Sequence, residues 1–237
     1  LLVMLDPDTQ ERLYDGLHLA YTRELISDED IRPSLTRILA LKEWAAAQPQ
    51  PDLTVVGCAE HQALEAEVAR RSITLVRDTA GLLPLRLSPD ARIAAVMPAP
   101  EDLTPADTSS TIKPHLAAAL RAFHPRVDEF VTAHLPTGPE IAGLRDRLAG
   151  YDLLVLGTIN ASMQPEQAAL VDDLLKLGIQ TVTVALRTPY DLAAYPAAET
   201  HLCTYSIQPA SLAALAAALF GEFQPSGRLP VAVPDIL

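Results

Sequence analysis

Several features that would assign a function at once are missing from this sequence of 237 residues. Its 10 glycines are scattered and form neither GxGxxG nor GxxxxGK[ST], the loops that cradle dinucleotides and nucleotides. Its 6 histidines show no HExxH or other metal-binding spacing, and no GxSxG elbow of a serine hydrolase occurs. We therefore expect no cofactor, no metal and no serine nucleophile of that type.

Positive charge is also scarce. Lys and Arg number 18 against 30 Asp and Glu, which gives a net charge of −12 at neutral pH. A nucleic-acid or anionic-membrane surface needs at least a basic patch, and no run of five basic residues exists. No stretch reaches the roughly 18 uninterrupted apolar residues of a membrane span. We expect neither a nucleic-acid partner nor a membrane span.

Cysteine is limited to Cys58 and Cys203, which is too few for a disulfide framework. We expect both to be reduced and buried. So few cysteines leave open whether the protein is cytoplasmic or exported from a bacterial cell. The first residues, Leu1 to Leu5, lack an initiator Met and a signal-peptide layout, and they look like a strand entered midway. The chain is interpreted as a fragment of something longer.

What the sequence does contain is ample core material, because 49% of its residues are hydrophobic. Two helical patterns come first, from Thr9 to Leu25 and from the cap at Ser27 through the segment ending near residue 47. The Pro-rich segment QPQPD at 48–52 is the best candidate for a domain boundary.

Beyond that boundary, near-continuous apolar runs alternate with amphipathic helices. The predicted strands are 72–78, 81–87, 91–99, 127–135, 151–158, 180–187 and 201–206, and the predicted helices are 59–71, 108–123, 139–149, 165–178 and 209–220. Runs of this kind are typical of parallel strands that are covered on both faces. We predict an α/β fold, a three-layer αβα sandwich around a mostly parallel sheet.

Two loops at the predicted carboxyl ends of strands have unusual polar content, and ligands gather there in open parallel sheets. The first, 157–167, offers hydroxyl and amide groups to a polyhydroxylated ligand through Thr158, Asn160, Ser162 and Gln164. The alternative is that these residues cap the next helix, with Glu166 and Gln167 satisfying its first amides.

The second loop is RTPYDL at 187–192. Here Pro189 fixes a turn, we expect Arg187 to pair with Asp191, and we expect Tyr190 to pack beneath the pair. The pair either orients a ligand or simply holds the loop against its neighbour. Glu166 and Asp191 are also the rim carboxylates, although glycoside hydrolysis needs a defined separation that a sequence does not measure.

The chain ends on an extended segment after an alanine-rich helix. Pro225, Ser226 and Gly227 form a turn signal, and an apolar strand or arm follows from Leu229 to Val233. An exposed apolar terminus gains nothing in water, so this arm is expected to pack on the domain.

Five segments occur in an order that resembles the C-terminal half of family-3 glycoside hydrolases, nearest the bacterial β-N-acetylhexosaminidase branch. They are SLTRILALK at 34–42, VARRSITLVRDTAGLLPL at 68–85, ALRTPYDL at 185–192, TYSIQPASLAAL at 204–215 and GEFQPSGRLPVAVP at 221–234. The likeness covers nearly the whole chain. It implies that residues 1–50 are the end of a (β/α)8 barrel with its exit helices and linker, and that residues 51–237 are the sandwich domain.

The resemblance also implies a function. The parent would be a retaining β-N-acetylhexosaminidase of carbohydrate and cell-wall metabolism, whose nucleophile and His-Asp acid pair lie on barrel loops. The family's KH-PGHG segment does not occur here, so no residue of this chain inherits a catalytic role. The chain would support its own barrel and line a carbohydrate entrance with Thr158, Asn160, Ser162, Arg187, Tyr190 and Asp191.

Three questions stay open at this point. A β-glucosidase-type member would take its acid from the sandwich, where Glu166 is the nearest candidate, but the sequence around it looks like a helix entrance. The chain is alternatively a free-standing carbohydrate-binding or interaction module without catalysis. Helices 9–47 have apolar faces that need a partner, which is either the barrel or a second copy in a homodimer.

Overall fold

The computed structural model describes residues 6–233, so the strand predicted for Leu1 to Leu5 lies outside the described residues. The chain divides into two compact units between Val56 and Gly57. The assignment of residues 1–50 to a barrel stays a prediction. No helix of the described part is long and apolar enough to cross a membrane.

The first unit contains the helices α1 (Pro7–Thr22) and α2 (Asp28–Ala47). α1 is capped by the Asp6 carboxylate, which accepts the Thr9 amide at 2.8 Å, and it ends before Leu25 because Glu24 adopts a φ of 57°. At the start of α2, Ser27 and Asp30 form a reciprocal capping box. Neither helix contains a buried residue.

The second unit alternates strands and helices as the apolar pattern predicts, which confirms the α/β class. In chain order these are α3 (Ala59–Ser72), β1 (Thr74–Asp78), β2 (Ile93–Pro98), α4 (Leu116–Arg121), β3 (Val127–Thr132), α5 (Gly138–Arg147), β4 (Leu153–Thr158), α6 (Pro165–Leu175), β5 (Gln180–Ala185), β6 (Thr200–Cys203) and α7 (Pro209–Leu219).

The strands form one six-stranded sheet in the order β1-β6-β5-β4-β2-β3. Only β1 runs antiparallel to its neighbour, and the other pairs are parallel. Every residue of β2 and β4 is buried, because helices cover both faces of the sheet. Val155 and Val184 face the core beneath α4 and α7, while Leu154 and Leu156 face the core beneath α5 and α6. The predicted three-layer sandwich is therefore present.

The strand predicted at 81–87 is wrong. The amides of Leu82 and Leu83 donate to the Asp78 carboxylate at 3.0 and 3.1 Å, and the amide of Leu85 donates to the Leu219 carbonyl at 2.8 Å. Pro84 has no amide to donate. Three consecutive backbone donors of this segment are therefore used by a side chain and a helix end and do not pair with a neighbouring strand.

The helix predicted over 108–123 is shorter than expected. A 3₁₀ turn occupies Ser109–Thr111, and α4 begins only at Leu116. Pro114 lies between them, where it lacks an amide donor and disfavours helical geometry in the residue before it.

The tail docks as an irregular arm, and residues 229–233 do not form a strand. The Gly227 amide donates to the Ile73 carbonyl at 3.0 Å, and Val233 is buried. The approach at Gly227 is so close that a Cβ there would overlap the carbonyl oxygen of Ser72. The predicted packing of the arm on the domain is observed as far as Val233.

Candidate functional site

The neighbouring parallel strands β2 and β4 diverge at their carboxyl ends. The chain leaves β2 toward α4 on one face of the sheet and leaves β4 toward α6 on the opposite face. Loops that part in this way leave a crevice, which is where open α/β sheets bind ligands. The segments after β2, β4 and β5 therefore define the candidate site.

The loop after β4, residues 159–164, is tied to the loop after β5. Asn160 has a φ of 61°, and its Oδ1 accepts a hydrogen bond from the Thr188 hydroxyl at 3.0 Å. A left-handed conformation is uncommon outside glycine, and Asn tolerates it better than most residues. Two of the predicted segments are thus brought together at one edge of the sheet.

Asp191 is completely enclosed beneath these loops, with no exposed surface. Its Oδ2 accepts the Thr158 hydroxyl at 2.7 Å, and its Oδ1 accepts the Ser162 amide at 3.2 Å. The Thr158 hydroxyl also lies 2.9 Å from the Tyr195 hydroxyl. Burial raises the pKa of Asp191, and the hydrogen bonds from Thr158 and Ser162 oppose that rise.

Arg187 does not pair with Asp191 as predicted. Its Nη2 lies 2.8 Å from Oδ2 of Asp107, and its Nη1 donates to the Ser109 hydroxyl at 3.2 Å. Asp107 belongs to the loop after β2, so the pair reaches from β5 across the end of β4 to β2. A fully buried Asp191 offers its oxygens to hydroxyl and amide donors instead, and this leaves Arg187 to the more accessible carboxylate.

The loop after β2 is organised around Asp107. This carboxylate accepts the Ser109 hydroxyl at 2.6 Å and the Leu103 amide at 3.2 Å, in addition to Arg187. Hydrogen bonds from Ser109 and Leu103, followed by that from Arg187, hold the pKa of Asp107 well below its ordinary value. Asp107 was not singled out in the sequence, because only the fold brings it to Arg187.

The six predicted site residues thus separate by accessibility. Thr158, Asn160 and Asp191 are buried, whereas Ser162, Tyr190 and part of Arg187 reach the surface. Tyr190 does not pack beneath its loop as predicted, since 38% of it is exposed. Contact of any of these residues with a ligand stays a prediction.

Gln167 has a different role from the predicted helix cap. Its Oε1 accepts the Ile159 amide at 2.7 Å and its Nε2 donates to the His134 carbonyl at 2.9 Å, so it joins the start of the β4 loop to the end of β3. The α6 cap residue, Gln164, makes no side-chain capping bond. The sequence contains a signal for this, because Gln167 shares the helical stripe of Leu170 and Leu174 and is therefore on the buried face.

Further buried polar groups lie below the loops. His201 bonds the Thr183 hydroxyl at 2.9 Å, and its ring meets the edge of Tyr195 at 5.8 Å between centroids. Burial raises the pKa of the Cys203 thiol to about 12, with a smaller effect of Asp191. Cys58 is only partly buried, so the prediction of two buried cysteines is wrong for Cys58.

The site combines occupied carboxylates with exposed polar and aromatic groups. Asp107 and Asp191 are each occupied as acceptors for loop donors, while Ser162, Tyr190 and Arg187 present polar and aromatic groups at the edge. Within residues 6–233, no cluster of three or more His, Cys, Asp or Glu is suited to hold a metal.

Comparison with known proteins finds a relative that matches most of the chain. The chain is 28% identical over 236 residues to a β-N-acetylglucosaminidase/β-glucosidase of Cellulomonas fimi, a match that covers 87% of this chain and 39% of that protein. No protein-family model matches the chain.

Solved structures agree with the fold. A glycoside hydrolase family 3 β-N-acetylglucosaminidase from a Paenibacillus species superposes with a TM-score of 0.83 at 27% identity, over 95% of this chain and 44% of that one. A fungal multi-domain β-N-acetylglucosaminidase of the same family gives 0.78 at 26% identity, over 96% of this chain and 26% of that one. A β-glucosidase from Listeria innocua, at 16% identity and a TM-score of 0.68 over 90% of this chain and 34% of its own, shares the fold.

The chain therefore spans less than half the length of these relatives, at 26% to 44%. The superposition includes the mostly parallel sheet, because it covers 95% of this chain. In sequence and fold the chain is therefore similar to the C-terminal αβα-sandwich region of glycoside hydrolase family 3 β-N-acetylglucosaminidases.

Proposed function

We propose that this chain is the non-catalytic sandwich domain of a retaining β-N-acetylhexosaminidase, that it supports a catalytic barrel, and that its β4 and β5 loops line the entrance for a carbohydrate. The observation that carries this is the likeness, over 95% of the chain, to a β-N-acetylglucosaminidase of which the chain represents 44%. The parts of such an enzyme that the chain does not match are long enough to hold a separate catalytic domain.

The chemistry of glycoside hydrolysis supports the assignment of catalysis to another domain. A retaining glycosidase needs a nucleophile and a general acid on the two sides of one bond, and either group alone gives no useful turnover. In this chain two carboxylates of the loops after β2 and β5, Asp107 and Asp191, are engaged by loop hydroxyls and amides. Hydrolysis is therefore assigned to the parent's other domain.

The experiment is an assay with an aryl N-acetylglucosaminide. The chain alone is expected to release no aryl alcohol, whereas a polypeptide that joins it to the upstream catalytic domain is expected to turn over. Hydrolysis by the chain alone contradicts the proposal. An inactive joined polypeptide that is shown to be folded contradicts it as well.

The joined polypeptide also distinguishes the β-glucosidase alternative, which the name of the Cellulomonas fimi relative includes. Glu166 lies exposed in the first turn of α6. If this residue served as the acid, Glu166→Gln would abolish the hydrolysis of an aryl glucoside. We expect instead that Glu166→Gln leaves turnover of the aryl N-acetylglucosaminide essentially unchanged, because the acid is assigned to the barrel.

The second candidate is a free-standing carbohydrate-binding module. It is favoured by the hydrogen bond that links the β4 and β5 loops and by the exposed ring of Tyr190. Calorimetric titration of the chain with N-acetylglucosamine and its oligomers tests it. Saturable binding that is lost in Tyr190→Ala supports a site at the crevice. Tyr14→Ala, which removes an exposed ring from α1 in the other unit, is the matched control and should bind as the unaltered chain does.

The helices of the first unit need a partner, and we propose that it is the barrel. Leu17, Leu39 and Trp44 are all more than a third exposed on α1 and α2. A second copy of the chain is the competing partner, and sedimentation velocity separates the two. A chain that stays monomeric at micromolar concentration favours the barrel, and a dimer that Leu39→Glu dissociates favours the second copy.

A further inference from the structure

Asp191 is unusual among the acidic residues of the chain. Of the aspartates and glutamates that the structure describes, it alone is fully buried. Enclosing a carboxylate costs free energy unless donors surround it, and such a cost is commonly retained where it serves a site. Asp191 lies at the carboxyl edge of the sheet, directly beneath the loops of the candidate site.

The partners of Asp191 all belong to one segment. The carboxylate accepts the hydroxyl of Thr158 at the last position of β4, and it accepts the amide of Ser162 inside the β4 loop. The residue itself comes from the segment after β5. The Asp191 side chain therefore holds the β4 loop against the segment that follows β5. The hydrogen bond from Thr188 to Asn160 is a second link between the same two segments.

Asp191 has no exposed atom with which to contact a ligand. The groups that reach the surface are its neighbours, Ser162 on the fastened loop and Tyr190 on the segment that carries Asp191. A change at Asp191 is thus transmitted to a ligand only through the positions of these neighbours.

We propose that Asp191 is a positioning residue, which fixes the conformation of the β4 loop so that Ser162 and Tyr190 face a carbohydrate together, and which never touches the ligand. This assignment rests on the proposed carbohydrate site, and it changes the sequence-based prediction that Asp191 binds the ligand directly.

Two substitutions at this position separate positioning from contact. Asparagine has the same shape, and its single oxygen can accept the Ser162 amide while its amide group faces the Thr158 hydroxyl. Alanine removes every acceptor and leaves the loop amide unpaired in a buried place. A positioning role predicts rescue by Asp191→Asn, whereas a role for the negative charge at the ligand predicts equal loss in both variants.

The experiment measures hydrogen exchange at the Ser162 amide and calorimetric affinity for N-acetylglucosamine in the full chain. Asp191→Ala is expected to speed exchange at Ser162 about tenfold and to weaken binding by a similar factor, because the loop loses its anchor. Asp191→Asn is expected to restore most of the slow exchange at Ser162 and most of the affinity for N-acetylglucosamine. The control is Thr183→Val on β5, which deletes a buried hydroxyl bonded to Thr200 and His201 and should leave Ser162 exchange unchanged.

Thr158→Val keeps the inference testable if Asp191→Ala does not fold. It removes one of the two bonds and is expected to speed Ser162 exchange by a smaller factor than alanine at 191. Unchanged exchange in Thr158→Val or Asp191→Ala overturns the inference, as does an Asp191→Asn chain that binds as poorly as Asp191→Ala. If the unaltered chain binds no N-acetylglucosamine, the carbohydrate site of this chain fails, and the exchange rates still decide whether Asp191 positions the loop.

Discussion

His201 lies inside the sheet as an uncharged imidazole. It has no exposed surface, and its ring nitrogen bonds the Thr183 hydroxyl at 2.9 Å. Burial, with a smaller effect of the Arg77 charge, lowers its pKa from the ordinary 6.5 to about 3. In the unfolded chain the same imidazole takes up a proton at the ordinary pKa.

We predict from this that His201 makes the second unit sensitive to acid. Between pH 6.5 and about 3 the unfolded chain binds a proton that the folded chain does not, so stability falls as the pH is lowered through that window. His201→Gln should reduce the pH dependence of the free energy of unfolding by up to about 1.4 kcal/mol per pH unit. Urea denaturation at several pH values measures it, and identical slopes in the two proteins contradict it.

At the scale of single residues, the sequence predicted which loops lie close together, but it gave Arg187 the wrong partner. Thr158, Asn160, Ser162 and Asp191 follow strands whose parallel arrangement brings their ends to one edge, so their proximity was predictable. The partner of Arg187 was not, because Asp107 lies far away in sequence and reaches Arg187 only through the strand order. The partner of a charged residue depends on which groups become buried on folding, and the sequence at a single position does not show this.

At the scale of elements, the docked tail depends on one glycine. The Gly227 amide bonds the Ile73 carbonyl, and a side chain at 227 would overlap the backbone oxygen of Ser72, which cannot rotate away. The tail therefore packs against the start of β1 only because this position lacks a Cβ.

We predict that Gly227→Ala destabilises the second unit by about 1–3 kcal/mol, since the backbone must shift to admit the methyl group. Gly143→Ala is the matched control, because that helical glycine of α5 has nothing within 4 Å of a new Cβ. The control should instead gain about 0.5–1 kcal/mol from helix propensity. Urea denaturation of both variants tests this, and a neutral Gly227→Ala would show that the tail is not held where the structure has it.

Elements that are stabilised locally were predictable, and those that depend on distant partners were not. Capped amphipathic helices such as α2 and long apolar strands such as β4 agree with their predictions. The segment 81–87 has the apolar composition of a strand, but Asp78 and the end of α7 take its amide donors. That competition arises only after the chain has folded.

At the scale of the whole molecule, the two units differ in how their helices are supported. α1 and α2 contain no buried residue, whereas β2 and β4 are buried throughout. Most of the stability of helices in proteins comes from tertiary packing of an apolar face, and α1 and α2 lack buried residues to provide it.

We predict that the amides of α1 and α2 exchange with solvent far faster than those of β2 and β4, because their opening does not require global unfolding. Hydrogen-exchange mass spectrometry of the full chain measures both sets in one sample. Equal protection in the helices and the central strands contradicts the prediction. Protection that appears in α1 and α2 only when the catalytic domain is joined would support the proposed partner.

The edges of the sheet have a consequence for behaviour at high concentration. Open strand edges invite pairing with other chains, which is how many sandwich proteins begin to aggregate. The strand at one end, β3, presents the charged side chains of Asp128 and Glu129 to water. Beside β1 at the other end of the sheet, the Ile73 carbonyl already accepts a hydrogen bond from the Gly227 amide. Pairing with a strand of another chain is therefore opposed by charge at the β3 edge and by an occupied backbone acceptor at the β1 edge.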